Sequence, residues 1–332
     1  MTKIAYTGFW RYFDPDTLPL TKIFREVCDV EVTDPKHADY VLYSVFSEKH
    51  WFVPNDCIKI FYTGENLTPD FNACDYAIGF DWLDFGDRYL RFPLYYLYVD
   101  INELMEKKHL CDPAEVKASK TDFCSITVSN SNRNPMFKTL YDALSTYKQV
   151  DSGGKWMNNV GGRVDNKHDF DLKHKFSIVC ENTSYPGYTT EKLVQAFAAG
   201  CIPVYWGDPT VGKVFNKKAF INVPDYASVD EVLERVKAID VDDNLYFSML
   251  REPALADESY CKANQLEVLR QFVSNIFSQP KEEAYRRSRY HYGTKYIKMR
   301  QRQAKTTVFH RTFWEDAAHQ AYTLMHPKEK RK

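Results

Sequence analysis

No apolar run in the 332-residue chain approaches the roughly 18 residues needed to cross a bilayer, so a membrane-spanning helix is excluded. The start, Met1-Thr2-Lys3-Ile4-Ala5-Tyr6-Thr7-Gly8-Phe9-Trp10, has neither the apolar core of a signal peptide nor a small-residue cleavage site after one. The eight cysteines lie at least 13 residues apart, which removes every Cys-x-x-Cys zinc or redox pair. The expectation is a cytoplasmic protein whose reduced thiols pack as small hydrophobes. The sequons Asn66-Leu67-Thr68 and Asn182-Thr183-Ser184 would then carry no sugar. The glycine-rich phosphate fingerprints, G-x-G-x-x-G and the P-loop, are also missing.

Aromatic rings, by contrast, are abundant: 6 Trp, 23 Tyr and 22 Phe make up 15% of the chain. Such rings fill cores, and they also stack on sugars and bases. The net charge of −1 conceals an asymmetry. From Arg286 to Lys332 there are thirteen Lys or Arg against three acids, a balance of +10, so residues 1–285 carry −11. In that basic segment Tyr290, Tyr292, Tyr296, Phe309, Phe313 and Trp314 alternate with the cations, as in an interfacial anchor. The expected partner is an anionic membrane surface, met peripherally on the inner face of the membrane. No nucleic acid is expected, because the acidic body would oppose a phosphate backbone.

The periodicity reads as two successive α/β segments. Lys3–Tyr6, Val30–Val32, Tyr40–Phe46, Ile58–Tyr62 and Asp75–Phe80 read as strands, and Leu20–Val27 as a helix. Tyr40–Phe46 and Ile58–Tyr62 are almost wholly apolar, the mark of strands buried on both faces of a parallel sheet. A charged helical stretch near residues 100–122 joins the second segment. There Phe123–Ser129, Phe176–Cys180 and Ile202–Trp206 read as strands, with helices over Met136–Tyr147, Glu191–Ala199, Val229–Ala238 and Gln265–Phe277. The expectation is an α/β enzyme of two lobes facing a cleft: residues 1–115, residues 116–285, and a basic segment 286–332 whose first part packs back on the N-terminal lobe.

Three polar patches fall where strands end. The first is Glu181 to Lys192, between a strand and a helix, where an open α/β sheet binds its ligand. The helix N-terminus suits a phosphate, and Thr189 or Thr190 can cap it. Lys192 lies in the first turn, where acids are usual. Local helix stability does not explain it, but a bound anion would. The second patch is Ser129-Asn130-Ser131-Asn132-Arg133-Asn134-Pro135, where Arg133 can take a phosphate in a two-pronged contact. The third, Phe61-Tyr62-Thr63-Gly64-Glu65-Asn66, puts the carboxylate of Glu65 at a sheet edge. Two further candidates, Trp51 and Trp82, could stack on a sugar face. Each patch taken singly is also what an ordinary turn looks like.

At these patches the chain resembles the GDP-fucose-dependent α-1,3-fucosyltransferases, the bacterial type of glycosyltransferase family 10. Tyr188-Thr189-Thr190-Glu191-Lys192 through Ile202-Pro203-Val204-Tyr205-Trp206-Gly207-Asp208-Pro209 is similar to that family's donor-site signature. Tyr62-Thr63-Gly64-Glu65-Asn66 resembles its catalytic strand end, and Asp75–Asp81 and Asp87–Pro93 its N-terminal landmarks. The resemblance covers roughly residues 1 to 280. It implies a GT-B fold of two Rossmann-like lobes, acceptor on the first and nucleotide sugar on the second. Carried over position by position, Glu65 would be the general base. Arg133 and Lys192 would hold the diphosphate, and Asn182, Tyr188 and Glu191 would line the donor site. The chain has neither the membrane anchor of the animal enzymes nor the tandem C-terminal heptads of some bacterial ones, so a soluble bacterial enzyme is expected.

The implied reaction inverts the anomeric carbon of GDP-β-L-fucose. It moves L-fucose to the 3-hydroxyl of GlcNAc or Glc in N-acetyllactosamine or lactose-type oligosaccharide or glycolipid acceptors, giving Lewis-type glycans. The alternatives are mixed α-1,3/4 linkage, or another donor on the same fold. A diphosphate leaves with its charge already stabilised, so it needs cations more than a proton. No cofactor is then required, and a divalent metal would at most stimulate. Asp14-Pro15-Asp16, Asp169-Phe170-Asp171 and Asp240-Val241-Asp242 have the Asp-x-Asp form of metal-using transferases, but so short a pattern recurs by chance.

Overall fold

A computed structural model describes residues 1–98, 112–129, 134–287 and 290–307. The chain forms two compact units. One holds Met1–Ile78, Phe85–Leu90 and the C-terminal part from Phe272. The other holds Gly79–Asp84 and Arg91–Gln271. Each is built on its own sheet.

The first sheet has six strands: β1 (Thr2–Thr7), β2 (Val30–Val32), β3 (Tyr40–Tyr43), β4 (Ile58–Tyr62), β5 (Tyr76–Gly79) and β6 (Tyr89–Arg91). Their order is β2-β1-β3-β4-β5-β6, and all pairs from β2 to β5 are parallel. Every residue of β3, β4 and β5 is buried, as their apolar composition requires. The helix Pro19–Val27 starts on a proline, whose fixed φ and missing N–H cost nothing in a first turn. It buries Leu20, Ile23 and Phe24, one face at helical spacing. Phe277, near the end of helix Lys262–Ser278, meets Phe24 and Tyr40 edge-on at 5.5 and 4.9 Å.

The segment that follows is locked by a buried ion pair. Arg287 is 2% exposed and Asp75 not at all. One Asp75 oxygen accepts the backbone N–H groups of Arg286 and Arg287, both at 2.8 Å. The other accepts the N–H of Lys59 at 2.7 Å and the Arg287 guanidinium at 3.0 Å. Arg287 Nη2 donates to the carbonyls of Asn55 (2.7 Å) and Cys57 (2.6 Å). Arg286 pairs with Asp87 at 2.8 Å. Arg287, counted with the basic anchor from the sequence, is therefore an internal partner, while Arg286 is exposed and paired with Asp87 at the surface. Residues 291–307 are helical, and Tyr290 and Tyr292 are exposed. Phe309, Phe313 and Trp314 lie outside the described residues.

The second sheet has five parallel strands: β7 (Asp122–Ile126), β8 (Val150–Ser152), β9 (His174–Cys180), β10 (Ile202–Trp206) and β11 (Ile221–Asn222). The order is β11-β10-β9-β7-β8. Helices Met136–Ser145, Val229–Val241 and Asp243–Leu250 pack with it around Phe176, Ile178, Val204 and Leu140. β6, β8 and β11 have no counterpart in the sequence reading, because two or three residues are too few to show a period. Among the described residues no helix is long and apolar enough to cross a membrane.

Two outcomes follow from the buried charges. Arg287→Ala should destabilise the protein by about 3–5 kcal/mol in urea unfolding, since it leaves Asp75 charged and unpaired in the core. Lys59, buried in β4 with one bond to the His50 carbonyl (2.8 Å), is pushed down to about 7 by desolvation and then by Arg287. Between that value and the unfolded lysine range the native state holds one proton fewer, so raising the pH stabilises it. From pH 7 to 9 the native protein should gain on Lys59→Met by roughly 2–3 kcal/mol, at about 1.4 per unit. Equal pH slopes for the two proteins would refute this.

Candidate active site

β9 ends at Cys180, and the next residue, Glu181, is fully buried. Its N–H donates to the Trp206 carbonyl at 2.9 Å, and its own carbonyl accepts Asn134 Nδ2 at 2.7 Å. Its carboxylate accepts the Thr190 N–H at 2.7 Å, the Thr190 hydroxyl at 2.8 Å and Lys192 Nζ at 3.0 Å. Burial pushes the Glu181 carboxyl up from its ordinary value, while Lys192 and the Thr190 donors pull it back. Gly207 makes room for this carboxylate: a Cβ there would meet Glu181 Cγ at 2.5 Å.

A second buried acid clamps the same connection. Asp208 Oδ1 accepts the N–H of Gly187 (2.8 Å) and the N–H and hydroxyl of Thr210 (2.7 and 2.6 Å), and Oδ2 accepts the Thr189 hydroxyl (3.1 Å). The Asp208 N–H donates to the Tyr205 hydroxyl at 3.0 Å. Gly187 has φ 87°, and a Cβ on it would lie 2.6 Å from the Phe80 carbonyl oxygen, so only glycine fits this turn. Trp82 closes the outer side. Its Nε1 donates to Thr210 Oγ1 (2.8 Å), and Arg91 and Lys213 stand 3.8 and 4.8 Å from its ring centre.

This geometry changes two of the sequence expectations. Lys192 has a structural partner: it neutralises a carboxylate with no exposure, while its own side chain stays 29% exposed. Its place in an N-terminal turn therefore does not by itself require a bound anion. Thr190 occupies the N-cap position of helix Glu191–Ala198, but its side chain accepts nothing from the helix. Its hydroxyl donates to Glu181 instead, and Thr189 donates to Asp208. The N-cap side chain is thus not used to cap the helix, which begins at the C-terminal edge of the sheet.

Asn182, Tyr188, Glu191 and Lys192 all belong to this one connection. Asn182 and Glu191 are half-buried, and the Tyr188 ring is buried 5.0 Å from that of Phe80. Arg133 lies outside the described residues. Glu65 stands in the first unit, half-buried just past the end of β4. Its N–H donates to Thr63 Oγ1 at 3.0 Å, and its carbonyl accepts Leu67 N–H at 2.8 Å, a tight turn at the C-terminal edge. Trp51 is buried beneath Arg300, 5.3 Å from its ring centre, and is a packed core residue. Glu181 and Asp208 were missed as organisers of the site. Their signal was an acid at a strand end with its threonine partners two to nineteen residues away, too diffuse to read without the fold.

The Asp-x-Asp acids have other tasks. Asp14 caps the turn Pro15–Thr17 and Asp16 pairs with Arg25. Asp171 takes Lys167 and Ser125, and Asp240 takes Lys148 and Lys175. A separate group, Asp122, Asp151 and His174, has its ligand atoms within 4.8 Å of one another. Asp122 and His174 are the first residues of β7 and β9, at the sheet edge opposite the connection described above. His174 Nε2 faces Asp151 at 3.1 Å, and Nδ1 the Phe170 carbonyl at 2.8 Å.

Two Rossmann-like units in one chain, with polar connections at the C-terminal strand edges, make up the architecture of the GT-B glycosyltransferases. Residues 4–98 match the alpha-(1,3)-fucosyltransferase FucT N-terminal domain, and residues 117–253 the glycosyltransferase family 10 (fucosyltransferase) C-terminal region. The chain is 31% identical to a crystallised α1,3-fucosyltransferase with GDP-fucose, covering 82% of this chain and 90% of that one at a TM-score of 0.69. It is 39% identical over 226 residues to the alpha-(1,3)-fucosyltransferase FucT of Helicobacter pylori, covering 59% of this chain and 47% of the relative. A bovine 3-galactosyl-N-acetylglucosaminide 4-alpha-L-fucosyltransferase is 30% identical over 137 residues, 40% of this chain and 37% of that one. The chain belongs to the family 10 fucosyltransferases. It spans about half the length of the H. pylori relative.

The buried pair makes a testable demand. Lys192→Met should cost about 3–5 kcal/mol of stability, because the fully buried Glu181 carboxylate loses the cation paired with it. The double variant Glu181→Gln/Lys192→Met should recover much of that loss in urea titrations. Additive losses would show that the pair is not coupled.

Proposed function

We propose that the chain is an inverting α-1,3-fucosyltransferase that uses GDP-β-L-fucose. Its acceptor is the 3-hydroxyl of GlcNAc or Glc in N-acetyllactosamine or lactose-type glycans. The observation that supports this best is the N-terminus of helix Glu191–Ala198, which Thr190 leaves without its own cap and which carries Lys192 in its first turn, at the edge where parallel sheets bind ligands. A diphosphate placed there meets backbone N–H groups and a cation. Lys192 then serves two acids, the buried Glu181 and the ligand. Arg133 is the second cation of the reading. Asn182 and Glu191 line the donor site, and Tyr188 backs it.

Glu65 is the proposed base. A carboxylate is too weak to deprotonate a sugar hydroxyl beforehand, but it can take the proton as the C–O bond forms. GDP departs as a stabilised diphosphate, so the charge that builds up needs the helix end and the cations rather than an acid. The reading therefore assigns no step to a metal. The bovine relative, a 4-α-L-fucosyltransferase by name, keeps mixed 1,3/1,4 linkage as the second reading. Peripheral attachment to an anionic membrane is proposed for the residues after Arg287, since Arg286 and Arg287 are already paired. A cytoplasmic location goes with that proposal.

Incubation with GDP-fucose and N-acetyllactosamine in EDTA should give a 3-linked fucosylated product, and UDP-sugars should give none. Glu65→Gln should lower turnover by about 100-fold or more while GDP binding by calorimetry is kept. Near-native turnover in that variant would exclude Glu65 as the base. Removing residues 308–332 should abolish pelleting with phosphatidylserine vesicles, and equal pelleting would defeat the membrane proposal.

A further inference from the structure

The connections after β1 and β3 carry an aromatic group that neither the core nor the proposed chemistry uses. Phe9 and Phe13 stack at 4.1 Å with their rings 11° apart. Trp10 stands edge-on to Phe13 at 5.0 Å and to Phe46 at 6.2 Å. Trp10 is 47% exposed, Phe46 42% and Tyr12 85%. The exposed large apolar residues of these two connections are all aromatic. An ordinary hydrophobic patch would mix in aliphatic side chains.

The group is held in place. The β1–β3 ladder continues past the strands, with Ser44 N–H on the Thr7 carbonyl (3.1 Å) and Phe46 N–H on the Gly8 carbonyl (2.7 Å). The loop is also strained: Tyr12 has φ 62°, a left-handed conformation that a bulky side chain rarely adopts. Strain of this kind gathers at ligand sites, where the surrounding structure imposes it. The Arg11 guanidinium lies 4.8 Å from the centre of the Tyr12 ring, a hydrogen-bond donor beside an apolar face.

Position completes the argument. β1, β3 and β4 are consecutive neighbours, all parallel, so their C-terminal ends share one edge. With neighbouring strands about 4.8 Å apart, the end of β1 lies roughly 10 Å from the end of β4, where Glu65 stands. We propose that Trp10, Tyr12 and Phe46 form a shelf that stacks on a pyranose ring of the acceptor glycan, one sugar away from the unit that receives fucose. A pyranose has one face of C–H groups that suits an aromatic ring, and a rim of hydroxyls that Arg11 can bind. This rests on the reading of the chain as a transferase to glycan acceptors.

The test is steady-state kinetics of Trp10→Ala and Phe46→Ala, with Trp10→Phe as the conservative control. Trp10→Ala should raise the KM for N-acetyllactosamine about tenfold, the scale of one lost aromatic contact, with GDP-fucose KM and melting temperature unchanged. Trp10→Phe should stay close to the native protein. An unchanged acceptor KM in both alanine variants overturns the shelf, as does a parallel rise in the KM of both substrates. If the native protein transfers no fucose at all, the functional reading fails by itself. Ligand-observed NMR of N-acetyllactosamine on the GDP-loaded protein then decides the shelf: a signal lost in Trp10→Ala supports it, and a signal unchanged or absent from the native protein refutes it.

Discussion

The first unit depends on one carboxylate. Asp75 precedes β5 and has no contact with water, so its charge must be met inside the protein. It is met three times by backbone N–H groups and once by Arg287. The donors come from β4 and from a segment more than two hundred residues later in the chain. One acid thus fixes both the strand beside it and the returning C-terminal segment. The guanidinium is fixed in turn by two carbonyls of the 55–57 loop. The apolar contacts of Phe277 with Phe24 and Tyr40 add non-directional burial, whereas the ion pair determines the register of the returning segment.

The second unit repeats the device in a different place. Glu181 follows the C-terminal end of β9, is equally buried, and holds the two residues that start the next helix. Asp208, just past β10, holds Gly187 and Thr189 in the turn before that helix. In each case a buried acid gathers backbone donors that a loop would otherwise leave unpaired. The arrangement has a consequence for ligand binding. On the proposed reading, Lys192 is aimed and partly neutralised before any donor arrives, and Thr190 leaves the helix end without its own cap. A site so built would be preorganised for a second anion.

The aromatic excess divides by location. Tyr76, Tyr95, Tyr96, Tyr205, Phe24 and Phe176 are fully buried and build the cores. Trp51, one of the two rings first considered for sugar stacking, is among the buried ones, and Trp82 is held by its nitrogen and by two cations. Trp10, Tyr12 and Phe46 are among the rings that remain exposed past strand ends, and none of them stood out as residues in a sequence. Composition supplied the number of rings, and folding chose which of them face solvent.

By itself the amino-acid order determined the elements that are long or uniformly apolar. β3, β4, β9 and β10 could be read directly, because burial on both faces leaves runs dominated by apolar residues. It also placed Glu65 and the Asn182–Lys192 connection at strand ends, since turn residues follow apolar runs there. It could not show that Lys192 is paired, that Thr190 donates rather than caps, or that Arg287 turns inward. Those facts rest on contacts across 9 to 212 residues of chain, and a pairing at that distance leaves no periodic trace. Only the tertiary structure decided them, because the cost of a buried charge is set by whatever surrounds it in space, and local sequence does not contain that environment.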